Sequence, residues 1–210
     1  MYTREHFSLP SVRAACEFVR ERSFGVLATC HEGEVFTSPL PLDLRGTEET
    51  GLFVAGHVAK ANDMAAVFAA GPPATITVLG QDTYVPAEWF GVRSRIPTWL
   101  YTSVEISGRL ELSDPARTRE DVVVLIDRLQ RSTVEGSTWT LDEIPSNLSD
   151  GYLKNIVGFR LHEPRFKSCF RLNQRKGETE SLASALAASD VAARRELAPL
   201  VLDPPTGRPG

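Results

Sequence analysis

Several features that announce common protein classes are scarce in this chain. There are three cysteines, Cys16, Cys30 and Cys169, far apart and without a CxxC, which argues against a disulfide framework and against a zinc site. No apolar run approaches the ~20 residues of a membrane-spanning helix. The opening "MYTREHF" lacks the apolar core of a secretory signal, so a cytoplasmic protein without membrane contact is expected. Positive charge is not in excess either: 23 Lys and Arg against 27 Asp and Glu give a net charge of -4. A domain that reads nucleic acid usually carries a dominant basic face, so direct DNA binding is doubtful. The residues offer no Ser/His/Asp arrangement, no metal-ligand spacing and no evident cysteine nucleophile.

What is present is enough for a sizeable core. The chain has 210 residues, 42% of them hydrophobic and 24% charged, which suits one domain or a domain with a helical appendage. The segment "SLPSVRAACEFVRER" places Val12, Ala15, Phe18 and Val19 at helical spacing. Short runs rich in Val, Thr, Phe and Leu follow: "GVLATC", "EVFTSPLPL", "GLFVA", "ATITVL", "TYVP" and the long "WLYTSVEISGRLEL". Turn-rich "HEGE" and "RGTEETG" separate the early runs, so antiparallel hairpins are expected. Many short strands joined this way predict a closed or partly closed barrel, which removes exposed edges. Asp114 and Pro115 open a second helix, with Val122, Leu125, Ile126 and Leu129 on one face. Two more strands, "IVGFRLHE" and "RFKSCFRL", precede a polar stretch and an alanine-rich helix. A single domain over 1–190 is expected, and a partly disordered tail over 191–210.

Three clusters could carry chemistry. In "GHVAKAN", 56–62, an apolar extended run gives way to the alanine-rich "DMAAVFAA". Free backbone N–H groups and the positive end of a helix dipole meet there, an arrangement suited to phosphate. Gly56 would permit a tight turn, Lys60 would supply charge, and Asn62 would donate to an oxygen. The plain alternative is that Asn62 caps the following helix, Lys60 is solvated and His57 is half-buried. A second cluster, "DTYVPAEWF" with "IPTWLY", brackets the basic loop "GVRSR" with Tyr84, Trp89, Phe90, Trp99 and Tyr101. Aromatics beside Arg93 and Arg95 could sandwich a planar anion, or could close one end of the barrel. The third is "RLNQRKGE", with Asn173, Gln174, Arg175 and Lys176 after the last strand, an exposed loop or a ligand contact.

The ordered set "MYTREHF", "LPL", "GHVAKAN", "TYVPAEWF", "IPTW-Y" with Val104 and Gly108 following, and "RLNQRK" resembles the PaiB family of FMN-binding negative transcriptional regulators. The resemblance runs from Met1 to about residue 190. It implies an α+β fold, a mostly antiparallel split β-barrel with flanking helices, related to pyridoxamine-phosphate oxidases and flavin reductases. It also implies a homodimer with FMN sites at the subunit interface. By the same resemblance Lys60 contacts the flavin phosphate, with His57 and Asn62 in support. Thr29, Thr37 and Ser38 would hydrogen-bond the phosphate, ribityl chain or ring edge. Thr98, Trp99 and Tyr101 would come from the neighbouring region or from the second subunit, and Asn173 and Arg175 from the late loop. The chain departs from the family pattern at Leu100, where asparagine is usual, at Glu105, where histidine is usual, and at Arg4, where proline is usual.

Three functions follow as expectations. A flavin-binding regulator is what the resemblance implies. A flavin-dependent oxidoreductase acting on a small substrate would use the same pocket, the cofactor supplying the redox chemistry. A haem-binding split barrel would need an axial ligand from His6, His31, His57 or His162.

Overall fold

Alternating inward and outward residues build six antiparallel strands, and the computed structural model, which describes residues 1–174 and 177–206, closes them into one ring. The strands are β1 (Phe24–His31), β2 (Glu34–Arg45), β3 (Phe53–Ala59), β4 (Pro73–Val85), β5 (Thr98–Leu112) and β6 (Ile156–Arg171), in the order β1-β2-β3-β6-β5-β4. Five α-helices are present among the described residues: α1 (Val12–Arg22), α2 (Pro115–Thr133), α3 (Ser146–Leu153), α4 (Thr179–Ala187) and α5 (Ala192–Leu202). The fold is the expected split barrel with flanking helices. None of the helices among the described residues is long and apolar enough to cross a membrane.

The chain forms two compact units, and β4, β5 and β6 contribute a segment to each. The barrel unit comprises Val19–Thr77 and Ile106–Arg165. Its first hairpin turns on Glu32 and Gly33, at φ 50° and 85°. Two successive left-handed residues match the strand twist, which is why "EG" sits there. The register then pairs Leu27 with Ser38 and Thr29 with Phe36, so Leu27, Thr29, Ser38, Leu40 and Leu42 are buried while Thr37 is exposed. Val54, Val58, Phe159, Leu161, Ile76 and Ile106 complete the core. Phe68, from the 3-10 helix Asp63–Ala70, meets Phe159 edge-on at 5.1 Å.

Helix α2 is fastened to the barrel by buried charge. Asp114 caps it, accepting from the Arg117 N–H at 2.8 Å, and Asp121, two turns further on, accepts from Arg160 Nε at 2.9 Å and from one of its Nη atoms at 2.7 Å. Arg45 bridges Asp121 at 3.0 Å and Asp43 at 2.6 Å, and Arg128 reaches Asp43 at 2.9 Å. The Arg160 guanidinium also lies 4.6 Å from the Phe53 ring centre.

The second unit comprises Met1–Phe18, Val78–Glu105 and Phe166–Gly210. Phe18 and Phe170 pack edge-on at 5.2 Å, and Leu182, Leu186, Leu197 and Val201 bury the inner faces of α4 and α5. The N-terminal segment is tied down where the Leu9 N–H meets Ser168 Oγ at 2.8 Å and the Met1 amino group meets Glu105 at 2.8 Å.

Three local expectations are corrected. "ATITVL" and "TYVP" are not two strands but one, β4, because "GQD" between them stays extended: a Cβ on Gly80 would lie 2.1 Å from Thr102 Oγ1, so glycine there serves close packing rather than a turn. "IVGFRLHE" and "RFKSCFRL" likewise form the single strand β6, with Glu163 taking the irregularity at φ 49°. Gly56 lies within β3, opposite Leu42 and Phe159. A Cβ there would come within 2.6 Å of the Phe159 ring, so the residue makes room for a core aromatic and does not turn the chain.

Candidate functional site

Lys60 follows the end of β3, and its backbone N–H bonds to Asn155 O at 2.8 Å, which holds the strand end beside the start of β6. The Ser113 N–H bonds to Gly158 O at 3.0 Å, drawing the end of β5 to the same place. Helix α2 begins two residues later and lies so close over β6 that a Cβ on Gly158 would fall 2.4 Å from Thr118 Oγ1.

These junctions enclose a cavity of about 480 Å³ lined by Lys60, Ser113, Thr118, Arg119, Asp150 and Lys154, with an apolar wall of Pro115, Leu153, Ile156 and Val157. The volume lies within the usual range for small-molecule sites, ~300–1,000 Å³. Three cations face one carboxylate there, and Asp150 is engaged with Arg119 at 3.2 Å. The first turn of the 19-residue α2 adds the positive end of its dipole. The buried hydroxyl of Ser113 has no hydrogen-bond partner. An orphaned buried hydroxyl costs about 1–3 kcal/mol, a penalty that a ligand oxygen would remove. The donor set therefore fits the phosphate end of FMN: mobile ammonium groups, a guanidinium, the Ser113 hydroxyl and an apolar wall for a planar body.

The residues expected from the sequence do not all meet there. Among the described residues, Lys60 alone of them lines this cavity. His57 is half-buried in β3 opposite Gly158, and burial lowers its pKa from the ordinary 6.5. Asn62 caps the 3-10 helix, accepting from the Met64 N–H at 3.0 Å, and its amide donates to Ser38 Oγ at 3.1 Å. The Thr29 hydroxyl is spent on Pro73 O at 2.8 Å, and Thr37 is exposed.

Thr98 and Asn173 come together elsewhere, lining a second cavity of about 400 Å³ in the other unit. Trp99 donates its indole N–H to Asp82 at 3.0 Å, and Tyr101 Oη lies within hydrogen-bond distance of Cys169 Sγ at 3.3 Å, a contact that, with burial, raises the Tyr101 pKa. The aromatic loop is engaged internally: Arg95 pairs with Glu178 and lies over Phe90, and Arg194 lies over Trp89. Arg175 and Lys176 lie outside the described residues.

Ser113, Thr118, Arg119 and Lys154 were not singled out from the sequence. The start of α2 at Asp114 and Pro115 was legible, and a helix N-terminus is an anion-accepting place, so Ser113 and Arg119 had a signal. Lys154 had none, because only the tertiary pairing of β3 with β6 brings it to Lys60.

The architecture defines an α+β split-barrel protein, with a cavity rimmed by Lys60, Arg119 and Lys154. Residues 1–163 match the family described as "Putative FMN-binding domain". The chain belongs to that family, and FMN is its cofactor. The resemblance to PaiB is borne out by a relative, Protease synthase and sporulation protein PAI 2 of Bacillus subtilis (strain 168), 24% identical over 86% of this chain and 85% of that protein. Similar solved structures include the FAD and haem binding protein from Mycobacterium smegmatis, with TM-score 0.58 and 17% identity over 85% of this chain and 80% of that one. The flavocytochrome Anf3 from Azotobacter vinelandii gives TM-score 0.55 and 14% identity over 79% and 69%. At these identities the likeness is one of fold.

Proposed function

We propose that the cavity under Lys60 seats the phosphate end of FMN, and that the protein is a cytoplasmic, homodimeric regulator that acts through its bound flavin. The observation that carries the reading is the orphaned Ser113 hydroxyl within a cavity rimmed by Lys60, Arg119 and Lys154. Lys60 and Lys154 hold the phosphate by charge and Ser113 by hydroxyl donation, while Pro115, Leu153 and Ile156 shield the adjoining ribityl chain from water; the Thr118 hydroxyl is spent on Asp114 O at 2.9 Å. FMN itself supplies electron-transfer chemistry when bound.

The regulatory part rests on the PaiB resemblance and on the sporulation role in the relative's name. The net charge of -4 favours action through protein contacts over direct DNA readout. Absorbance after FMN addition and desalting tests the cofactor site. The wild type retains a flavin spectrum and Lys60→Ala loses it, whereas equal retention by both would contradict the assignment. No mobility shift on promoter DNA is expected even at low salt, and a strong salt-dependent shift would overturn action through protein contacts.

A further inference from the structure

The cavity of about 400 Å³ in the unit that holds the N-terminal segment shares no lining residue with the cavity under Lys60. Its chemistry is different. Arg4 and Arg171 supply two guanidinium groups, His6 an imidazole, Tyr2, Phe7 and Leu100 supply apolar surface, and no carboxylate lines it among the described residues. Arg171 is oriented by a bond to Thr98 Oγ1 at 3.3 Å, and Arg4 by a bond from its Nε to Tyr2 Oη at 3.0 Å.

Asn173 carries the decisive observation. It is 6% exposed, and its Nδ2 donates to Gly177 O at 3.3 Å. Its Oδ1 is buried and has no hydrogen-bond partner. A buried amide oxygen without a donor is uncommon and costly, and an amide oxygen can only accept. Whatever satisfies it must bring an O–H or N–H.

We infer that this cavity is a second ligand site, for a small organic anion whose body also carries a hydroxyl or N–H donor. The carboxylate or phosphate meets the guanidinium groups of Arg4 and Arg171, the donor meets Asn173 Oδ1, and the apolar body lies against Tyr2, Phe7 and Leu100. Leu100, where the family pattern has asparagine, makes one wall apolar and leaves Asn173 as the amide that reads the donor. The absence of a lining carboxylate disfavours an ammonium as the donor, which selects a neutral hydroxyl or amide. Such a site would make the protein responsive to a small metabolite independently of flavin.

The inference stands apart from the FMN reading, and its test keeps the two separate. The probe is 4-hydroxybenzoate, compared with benzoate, titrated by calorimetry and by amide chemical shifts in the presence and absence of FMN. The hydroxy acid should bind with a Kd below about 1 mM, and benzoate at least about fivefold more weakly, because it cannot satisfy the amide oxygen. Arg171→Ala should weaken 4-hydroxybenzoate about tenfold. Asn173→Gly, which tolerates the backbone φ of 70° at that position, should abolish the preference for the hydroxy acid. FMN should not compete with the probe, and the variants' melting temperatures and flavin spectra report that each remains folded. Absence of binding at about 10 mM, equal affinity for the two acids, or indifference to Arg171→Ala would each overturn the inference, whether or not FMN binds.

Discussion

Replacing Asp121 by alanine should cost about 3–5 kcal/mol, the loss typical of breaking a buried ion pair by removing one partner. The Asp121 side chain is 8% exposed, and its two oxygens receive Arg160 at 2.9 and 2.7 Å and Arg45 at 3.0 Å. Its carboxylate also raises the Arg160 pKa, first through that hydrogen bond. Without it, two guanidinium groups with side chains only 16% and 17% exposed keep their charge; Arg160 loses its main acceptor and Arg45 one of its two carboxylates. Asp43 remains to hold Arg45 and Arg128, but Arg160 keeps, of its carboxylate partners among the described residues, Glu120 at 3.8 Å. With a urea m-value of about 3 kcal/mol/M, at the upper end for small proteins, the midpoint should fall by about 1–2 M. Asp121→Asn retains one acceptor and should lose about half as much. Because α2 carries Thr118 and Arg119 into the cavity, FMN affinity should fall as well. A midpoint shift of less than about 0.3 M for the alanine variant would refute the reasoning, since the pairs would then be worth no more than surface ones.

Three other substitutions probe separate steps of the account. His57 is held neutral by burial, so its folded pKa lies below the unfolded 6.5. Its contribution is therefore full above about pH 6.5 and is lost as pH falls through the depressed value; His57→Gln should show a flatter urea midpoint between about pH 7.5 and pH 5, and parallel profiles would contradict this. Asn62→Ala removes a cap and the bond to Ser38 and should lower stability by about 1–2 kcal/mol, read from thermal melting. Gly158→Ala forces a methyl toward Thr118, 2.4 Å from its Oγ1, and should cost about 1–3 kcal/mol in urea unfolding while also weakening FMN.

Where local pattern governs, the sequence was a sound guide. The spacing of Val12, Ala15 and Val19 gave α1, Asp114 with Pro115 gave the start of α2, and "HEGE" gave the β1–β2 hairpin. Glycine misled the strand boundaries in β4, because a packing glycine such as Gly80 looks the same as a turn glycine until Thr102 is beside it. The site was legible in one residue more than in its surroundings. Lys60 stood out at a strand end, but Lys154, 94 positions later, joins it through β3–β6 pairing that no local spacing encodes. Hydroxyls and amides expected to contact flavin turned out to be occupied with structure where they are capable of it locally: Thr29 bonds Pro73 and Asn62 caps a helix. Buried polar atoms without partners, Ser113 Oγ and Asn173 Oδ1, are what mark the cavities, and satisfaction of a hydrogen bond is a property of three-dimensional neighbours.

The most direct test of the central claim is a comparative titration of FMN and riboflavin, which differ only in the phosphate, against the wild type, Lys60→Ala and Ser113→Ala. The wild type should prefer FMN by at least about a hundredfold, and each variant should reduce that preference about tenfold by weakening FMN alone. Ser113→Ala should leave the flavin-free protein at least as stable as the wild type, since it removes an orphaned hydroxyl. Equal affinity for the two flavins, or a preference for FMN that survives both substitutions, would place the phosphate somewhere other than under Lys60.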